Sequence, residues 1–197
     1  AFGLRIEYPE DSLPVDRGGR LPDARAMAAL TPYNVSEHAR LSNRVREIEE
    51  FRRLAGDELF VVGWIEGPVA EYADLRGAAN AALDLVDEPE AVHDAMEAIT
   101  EAVLPFISAQ VEAGADCIGI GDAFCSQIGP GPYREFALER EKRMVDHVHS
   151  LGALAKLHIC GNTHALLPDM IRTGADIVDV DHLVPSMEPF AGLLAPG

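Results

Sequence analysis

Ala113-Gly114-Ala115-Asp116-Cys117-Ile118-Gly119-Ile120-Gly121-Asp122 and Thr173-Gly174-Ala175-Asp176-Ile177-Val178-Asp179-Val180-Asp181 are written to one plan. In both, a helical stretch runs into a Gly-Ala-Asp joint and then into a short run that ends on an aspartate. Glycine suits such a joint because the residue that closes a helix often turns left-handed, where a Cβ is penalised. The same wording used twice marks a βα repeat. The theme recurs between the two copies, where a helix from about Pro132 to Leu151 feeds a strand from Leu154 to Ile159. Helices are also expected from about Asp87 to Ala113 and from about His164 to Thr173, the latter feeding a strand at 177–180. Strands alternating with helices of this length predict a parallel sheet, either doubly wound or closed as a barrel.

Upstream, Leu59 to Ile65 is a near-continuous apolar run that reads as a strand buried on both faces and stopped by Gly67-Pro68. Before it, Leu41, Val45, Ile48, Phe51 and Leu54 recur at helical steps, with Ser36 as the expected N-cap and Gly56 as the stop. The first third is broken by Pro9, Pro14, Gly18, Gly19, Pro22 and Pro32, so short strands and turns are expected there. Neither glycine-rich phosphate loop occurs, and Gly119-Ile120-Gly121 is a lone G-x-G inside a strand. A complete (β/α)8 barrel takes roughly 250 residues. The chain has 197. The expected fold class is therefore α/β, a (β/α)8 TIM barrel incomplete in this chain, with residues 1–197 forming a single domain truncated at one or both ends.

Thirty-three acidic against sixteen basic side chains give a net charge of -17. A field of that sign repels phosphate backbones and anionic lipid surfaces, so neither nucleic acid nor membrane is an expected partner. No apolar run approaches the ~18 residues needed to span a bilayer. The start, Ala1-Phe2-Gly3-Leu4-Arg5, lacks the layout of a signal peptide, and a cytoplasmic location is expected. Three cysteines, an odd number with no framework spacing, fit a reducing compartment.

The sharpest chemical signal is Leu157-His158-Ile159-Cys160-Gly161, at the end of a strand, where barrels carry their chemistry. Residues two apart on a strand share a face, so His158 and Cys160 project together, and imidazole with thiolate is a pair that zinc accepts. The plainer alternative is a hydrogen-bonded core histidine beside a small buried thiol. A catalytic zinc needs a third protein ligand and an open position. The missing ligand must come from elsewhere, and no cysteine follows Cys160. Asp122 and Asp181, each at a strand end, are candidate catalytic carboxylates, although Asp122 would also serve as a loop cap. Asp179 shares a face with Asp181, and paired carboxylates can do acid and base work, but a solvated strand end is the more common explanation of such a pair. Glu66, beside Gly67-Pro68, and Cys125 are candidate substrate-binding residues at the mouth, with packing under Phe124 the alternative for Cys125.

The stretch from about Trp64 to Pro185 resembles the uroporphyrinogen decarboxylase superfamily. The landmarks are Gly67-Pro68, Asp87-Glu88-Pro89-Glu90, Ala113-Gly114-Ala115-Asp116, Pro132-Tyr133-Arg134-Glu135-Phe136, His158-Ile159-Cys160-Gly161 and the run from Met170 to Asp181. The resemblance implies a (β/α)8 barrel. In the cobalamin-dependent methyltransferase branch, a His-x-Cys pair and a later cysteine hold zinc, which makes His158 and Cys160 the first two ligands. That branch implies methyl transfer between a corrinoid (methylcobalamin) protein, docking at the barrel mouth, and a small-molecule thiol. The decarboxylase branch implies metal-free removal of carboxyl groups from the acetate side chains of a tetrapyrrole. Its early Arg-rich segment is not found here, and it lacks His-x-Cys. A non-catalytic barrel that binds a corrinoid or a tetrapyrrole is the third reading.

Overall fold

The computed structural model describes residues 2, 6–11, 15–16, 21–29 and 33–193. Two short strands, β1 (Ile6–Glu7) and β2 (Val15–Asp16), pair antiparallel, and a 3-10 turn spans Ala24–Ala29. Helix α1 (Ala39–Ala55) follows, and then strand β3 (Val62–Glu66). Three helices run in series, α2 (Pro68–Arg76), α3 (Ala78–Asp87) and α4 (Pro89–Glu112), before β4 (Cys117–Gly121). Two short turns, α5 (Cys125–Ile128) and α6 (Pro130–Pro132), lead through a π-helical segment at Tyr133–Ala137 into α7 (Leu138–Ser150). Strand β5 (Leu154–Ile159), helix α8 (Leu167–Arg172) and strand β6 (Ile177–Val180) complete the series.

The four longer strands form one parallel sheet in the order β3-β4-β5-β6. Among the described residues, the helices packed on the sheet lie on one of its faces: α4 packs on β3 and β4, and α7 on β4 and β5. Along β4 and β5, Ile118, Ile120, Ala155, Leu157 and Ile159 are buried and point into that helix layer. A doubly wound sheet carries helices on both faces, whereas a barrel wall carries them only outside. The sheet is thus an open sector of a (β/α) barrel.

Strand β3 corrects the expectation of burial on both faces. Val62, Trp64 and Glu66 are exposed while Gly63 and Ile65 are buried, and Leu59 and Phe60 lie exposed before the strand begins. Strand β3 lies at the edge of the sheet, and among the described residues its inward face is left open. Its outward-turned backbone is met by a side chain: Trp64 N–H donates to Gln110 Oε1 at 3.0 Å, and Gln110 Nε2 donates back to the Trp64 carbonyl at 3.4 Å. Helix α1 begins at a different cap than expected. His38 Nδ1, not Ser36, accepts from the Leu41 N–H, while the Ser36 hydroxyl turns back to Asn34. The Phe51 and Leu54 side chains of α1 are exposed, so its buried stripe is narrower than the periodicity suggests. No helix among the described residues is long and apolar enough to cross a membrane.

Candidate active site

Strand register assembles the mouth of the sheet. Glu66 pairs with Gly121, Gly121 with His158, and His158 with Asp179, so these residues form one row across the inward face. One row deeper lie Trp64, Gly119, Lys156 and Ile177. Cys160 and Asp181 continue the same parity just beyond the strand ends.

The glycines of β4 are explained by what lies over them. A Cβ on Gly121 would come within 2.6 Å of Trp64 Cζ2, and one on Gly119 would meet the Cε3 and Cζ3 edge of the same ring. The indole therefore lies on a strip of bare backbone, with its centroid 6.4 Å from that of the His158 ring. Trp64 Nε1 donates to Glu66 Oε1 at 3.4 Å. Although solvent reaches part of the Glu66 side chain, partial desolvation of its carboxyl pushes it above its ordinary range, the hydrogen bond from Trp64 opposes this, and the charge of Asp74 adds to it.

His158 and Cys160 converge. Nε2 of the imidazole lies 3.1 Å from Sγ. Nδ1 faces only acceptors from Asp179, the backbone carbonyl at 3.3 Å and the carboxylate at 3.5 Å. An N–H is needed to satisfy them, so the proton sits on Nδ1 and the Nε2 lone pair points at the thiol. The donor types suit zinc, and opening the pair by about 0.5 Å, to the roughly 3.6 Å between two donors of a tetrahedral ion, would let both hold it. Asp181 accepts from the Gly161 N–H at 3.0 Å and from His182 Nδ1 at 2.7 Å, contacts that hold its carboxyl below the usual aspartate range. It braces the turn that follows Cys160.

Asp122 and Cys125 correct the expectation that their side chains line the mouth. Asp122 has the parity of Ile118 and Ile120, so it points away from the inward face, and it is fully buried. It accepts from the Ala70 N–H at 2.6 Å and the Val69 N–H at 3.3 Å, capping α2 from another strand. Gly67 makes this approach possible, since a Cβ there would lie 2.5 Å from the Asp122 carboxylate. Cys125 is also fully buried, its thiol donating to Asp122. Glu141, from α7, closes this cluster, with ligand atoms of Asp122, Cys125 and Glu141 all within 4.8 Å of one another. The Tyr133 hydroxyl donates to Glu141 Oε2, and Oε1 has no donor of its own. A proton on Glu141, shared with Asp122, satisfies both carboxyls. Burial pushes Glu141 well above the carboxylate range and Asp122 up to about 6. One proton completes the cluster, and it is sealed, so the exposed His158–Cys160 pair is the better metal candidate.

Sequence reading brought out His158, Cys160, Glu66 and Asp181, and all four reach the inward face or its rim. It passed over Trp64, although the i, i+2 step to Glu66 and the glycines spaced two apart on β4 together signal a bulky group lying across a strand. Lys156 lies one row deeper than His158 on the same face, and the structure joins it to Asp179, Nζ to Oδ2 at 2.7 Å. Tyr133 entered only as part of the Pro132–Phe136 landmark, and Glu141 gave no signal, because a fully buried glutamate on an otherwise charged helix reads as surface.

Comparison with known proteins agrees with this architecture. Residues 1–193 match the family described as Uroporphyrinogen decarboxylase (URO-D). The chain is 28% identical over 158 residues to the methylcobamide:CoM methyltransferase MtaA of Methanosarcina barkeri, covering 79% of this chain and 46% of that protein. It is also 28% identical over 198 residues to the uroporphyrinogen decarboxylase of Myxococcus xanthus, covering 95% and 54%. A solved methyltransferase from Methanosarcina mazei superposes with a TM-score of 0.86 at 25% identity, covering 98% of this chain and 57% of that one. The chain spans about half the length of the relatives it matches. With a family match over nearly its whole length and a barrel sector that superposes on a solved relative, the chain belongs to the uroporphyrinogen decarboxylase family.

Proposed function

We propose that this chain belongs to a methyltransferase that moves a methyl group between a corrinoid protein and a small-molecule thiol, with His158 and Cys160 as two ligands of a zinc ion. The observation that carries the reading is the convergence of His158 Nε2 and Cys160 Sγ to 3.1 Å on the inward face. When bound there, zinc supplies a Lewis acid that lets a coordinated thiol lose its proton near neutral pH. The surrounding residues do the rest. Asp179 keeps the His158 lone pair directed toward Cys160, Asp181 braces the Gly161 turn, and the Trp64 indole, tied to Glu66, walls the space beside the imidazole. The corrinoid arrives on its own protein at the open strand ends. Methylcobamide:CoM methyltransferases among the relatives support this reading.

Charge on the inward face favours methyl transfer over tetrapyrrole decarboxylation. A substrate with many carboxylates calls for arginine or lysine clusters. On the strands of this face Glu66, Asp179 and Asp181 stand against Lys156, which is already paired with Asp179, while Arg40 and Arg44 line the neighbouring cavity with Trp64 and Glu66. The deciding experiment is zinc content per chain for the wild type, His158→Ala and Cys160→Ala, followed by methyl transfer from methylcobalamin to thiols. About one zinc in the wild type, lost in both variants, is expected for a catalytic zinc held through these ligands. A metal-free wild type that decarboxylates a tetrapyrrole would overturn the reading.

A further inference from the structure

The geometry points to Asp179 as a positioning residue that fixes the His158 tautomer, and to Lys156 as the group that holds Asp179 in place. This inference rests on the zinc reading above and deepens it. Asp179 is the register partner of His158 on the neighbouring strand, so its backbone and side chain both lie beside the imidazole. Its carbonyl at 3.3 Å and its carboxylate at 3.5 Å both face Nδ1, and neither can donate. The carboxylate is not free to swing out toward solvent. Lys156, one row deeper on β5, reaches diagonally to its Oδ2 at 2.7 Å. Among the described strand residues that face inward, Lys156 is the lone lysine or arginine, and it is spent on this contact. Its side chain is 27% exposed and that of Asp179 38%, so the pair is partly shielded. A carboxylate behind a metal-binding imidazole orients the ring and raises its basicity, and such partners matter to metal affinity.

The order of action is therefore Lys156 on Asp179, Asp179 on His158, and His158 on the metal. If Lys156 acts only through Asp179, the two changes are not additive. The test is zinc affinity by chelator competition in the full-length protein, with Asp179→Ala, Asp179→Asn, Lys156→Met and the Lys156→Met/Asp179→Ala double variant. Asp179→Ala is expected to weaken zinc binding about 10- to 100-fold. Asp179→Asn, which keeps an acceptor oxygen without the charge, should fall between Asp179→Ala and the wild type. Lys156→Met should cost less than Asp179→Ala, and the double variant no more than Asp179→Ala alone. Zinc affinity unchanged in Asp179→Ala, or a fully additive double variant, would overturn the inference.

A second readout needs no metal. Nitrogen NMR of the His158 ring in the zinc-free protein should show the proton on Nδ1 in the wild type, and a shift toward the Nε2-protonated form in Asp179→Ala. A wild type that binds no zinc but shows this change would sink the metal reading and leave the positioning role standing. An unchanged tautomer would remove the positioning role even in a protein that binds zinc.

Discussion

The two ends of the parallel sheet are built by different rules. At the end where the strands begin, the Gly-Ala-Asp joints do one job twice. Gly114 and Gly174 adopt φ of 105° and 82°, and the aspartate that follows each reaches sideways to the neighbouring strand. Asp116 Oδ2 accepts from the Val61 N–H at 2.7 Å and Asp176 Oδ2 from the Ala155 N–H at 2.8 Å. Each carboxylate also meets a basic side chain from the preceding helix layer, Arg52 at 2.5 Å and His149 at 2.8 Å. At the other end no two strands finish alike. β3 finishes on Glu66 beside an indole, β4 on a buried cap, β5 on the His-x-Cys pair and β6 on the carboxylates that support it. A repeated device holds the frame, and unrepeated residues occupy the end where barrels work.

That contrast is breakable. The largest effect is expected at the mouth end of β4, where Gly67→Ala would drive a Cβ to 2.5 Å from the Asp122 side chain in a sealed space. Overpacking together with loss of the α2 cap should cost about 3 kcal/mol in urea unfolding. A change within experimental error would show that the cap is not held tightly.

The next effect concerns the proton shared beneath that cap. Because the folded protein holds the Glu141 carboxyl well above its ordinary value of 4.5, and Asp122 up to about 6, it binds these protons more tightly than the unfolded chain. Their contribution is complete below the unfolded values and is lost as pH rises through the folded ones. Glu141→Gln, which keeps a donor for Asp122 without a titrating proton, should flatten the fall in stability on the alkaline side. A wild-type and variant pair with parallel pH profiles would rule out the shared proton.

The smallest effect sharpens the comparison within the repeat itself. Alanine at either joint glycine must take a left-handed backbone, at a cost of about 1 kcal/mol. Gly114→Ala should exceed Gly174→Ala, because a Cβ at 114 meets Arg52 Cγ at 3.0 Å while one at 174 meets nothing within 4 Å. Equal losses would mean that Arg52 yields freely.

How much of this was legible follows from the same division. The joints announce themselves because a helix stop and a strand start need glycine and an acceptor at fixed places, and β5 and β6 fall where their apolar runs lie. The parity of Lys156, His158 and Cys160 is local and readable. The turn of Asp122 toward the helix layer was readable too, since it keeps step with Ile118 and Ile120, but its strand-end position drew attention to the mouth instead. Register was not legible. That His158 stands beside Asp179 depends on the length and packing of the α8 connection, which no local pattern encodes. Nor does any local pattern bring Glu141 to Asp122, because the π-helical segment before α7 sets the phase of that helix.

The bare strip at Gly119 and Gly121 links three positions into one unit of inheritance. A side chain gained at 119 or 121 collides with the indole of Trp64, the chain's single tryptophan, while a small residue at 64 would leave both glycines with nothing to accommodate. Substitutions at these sites are therefore expected to travel together through the family, and an alignment column at 64 that loses its tryptophan should be the one in which 119 and 121 regain side chains.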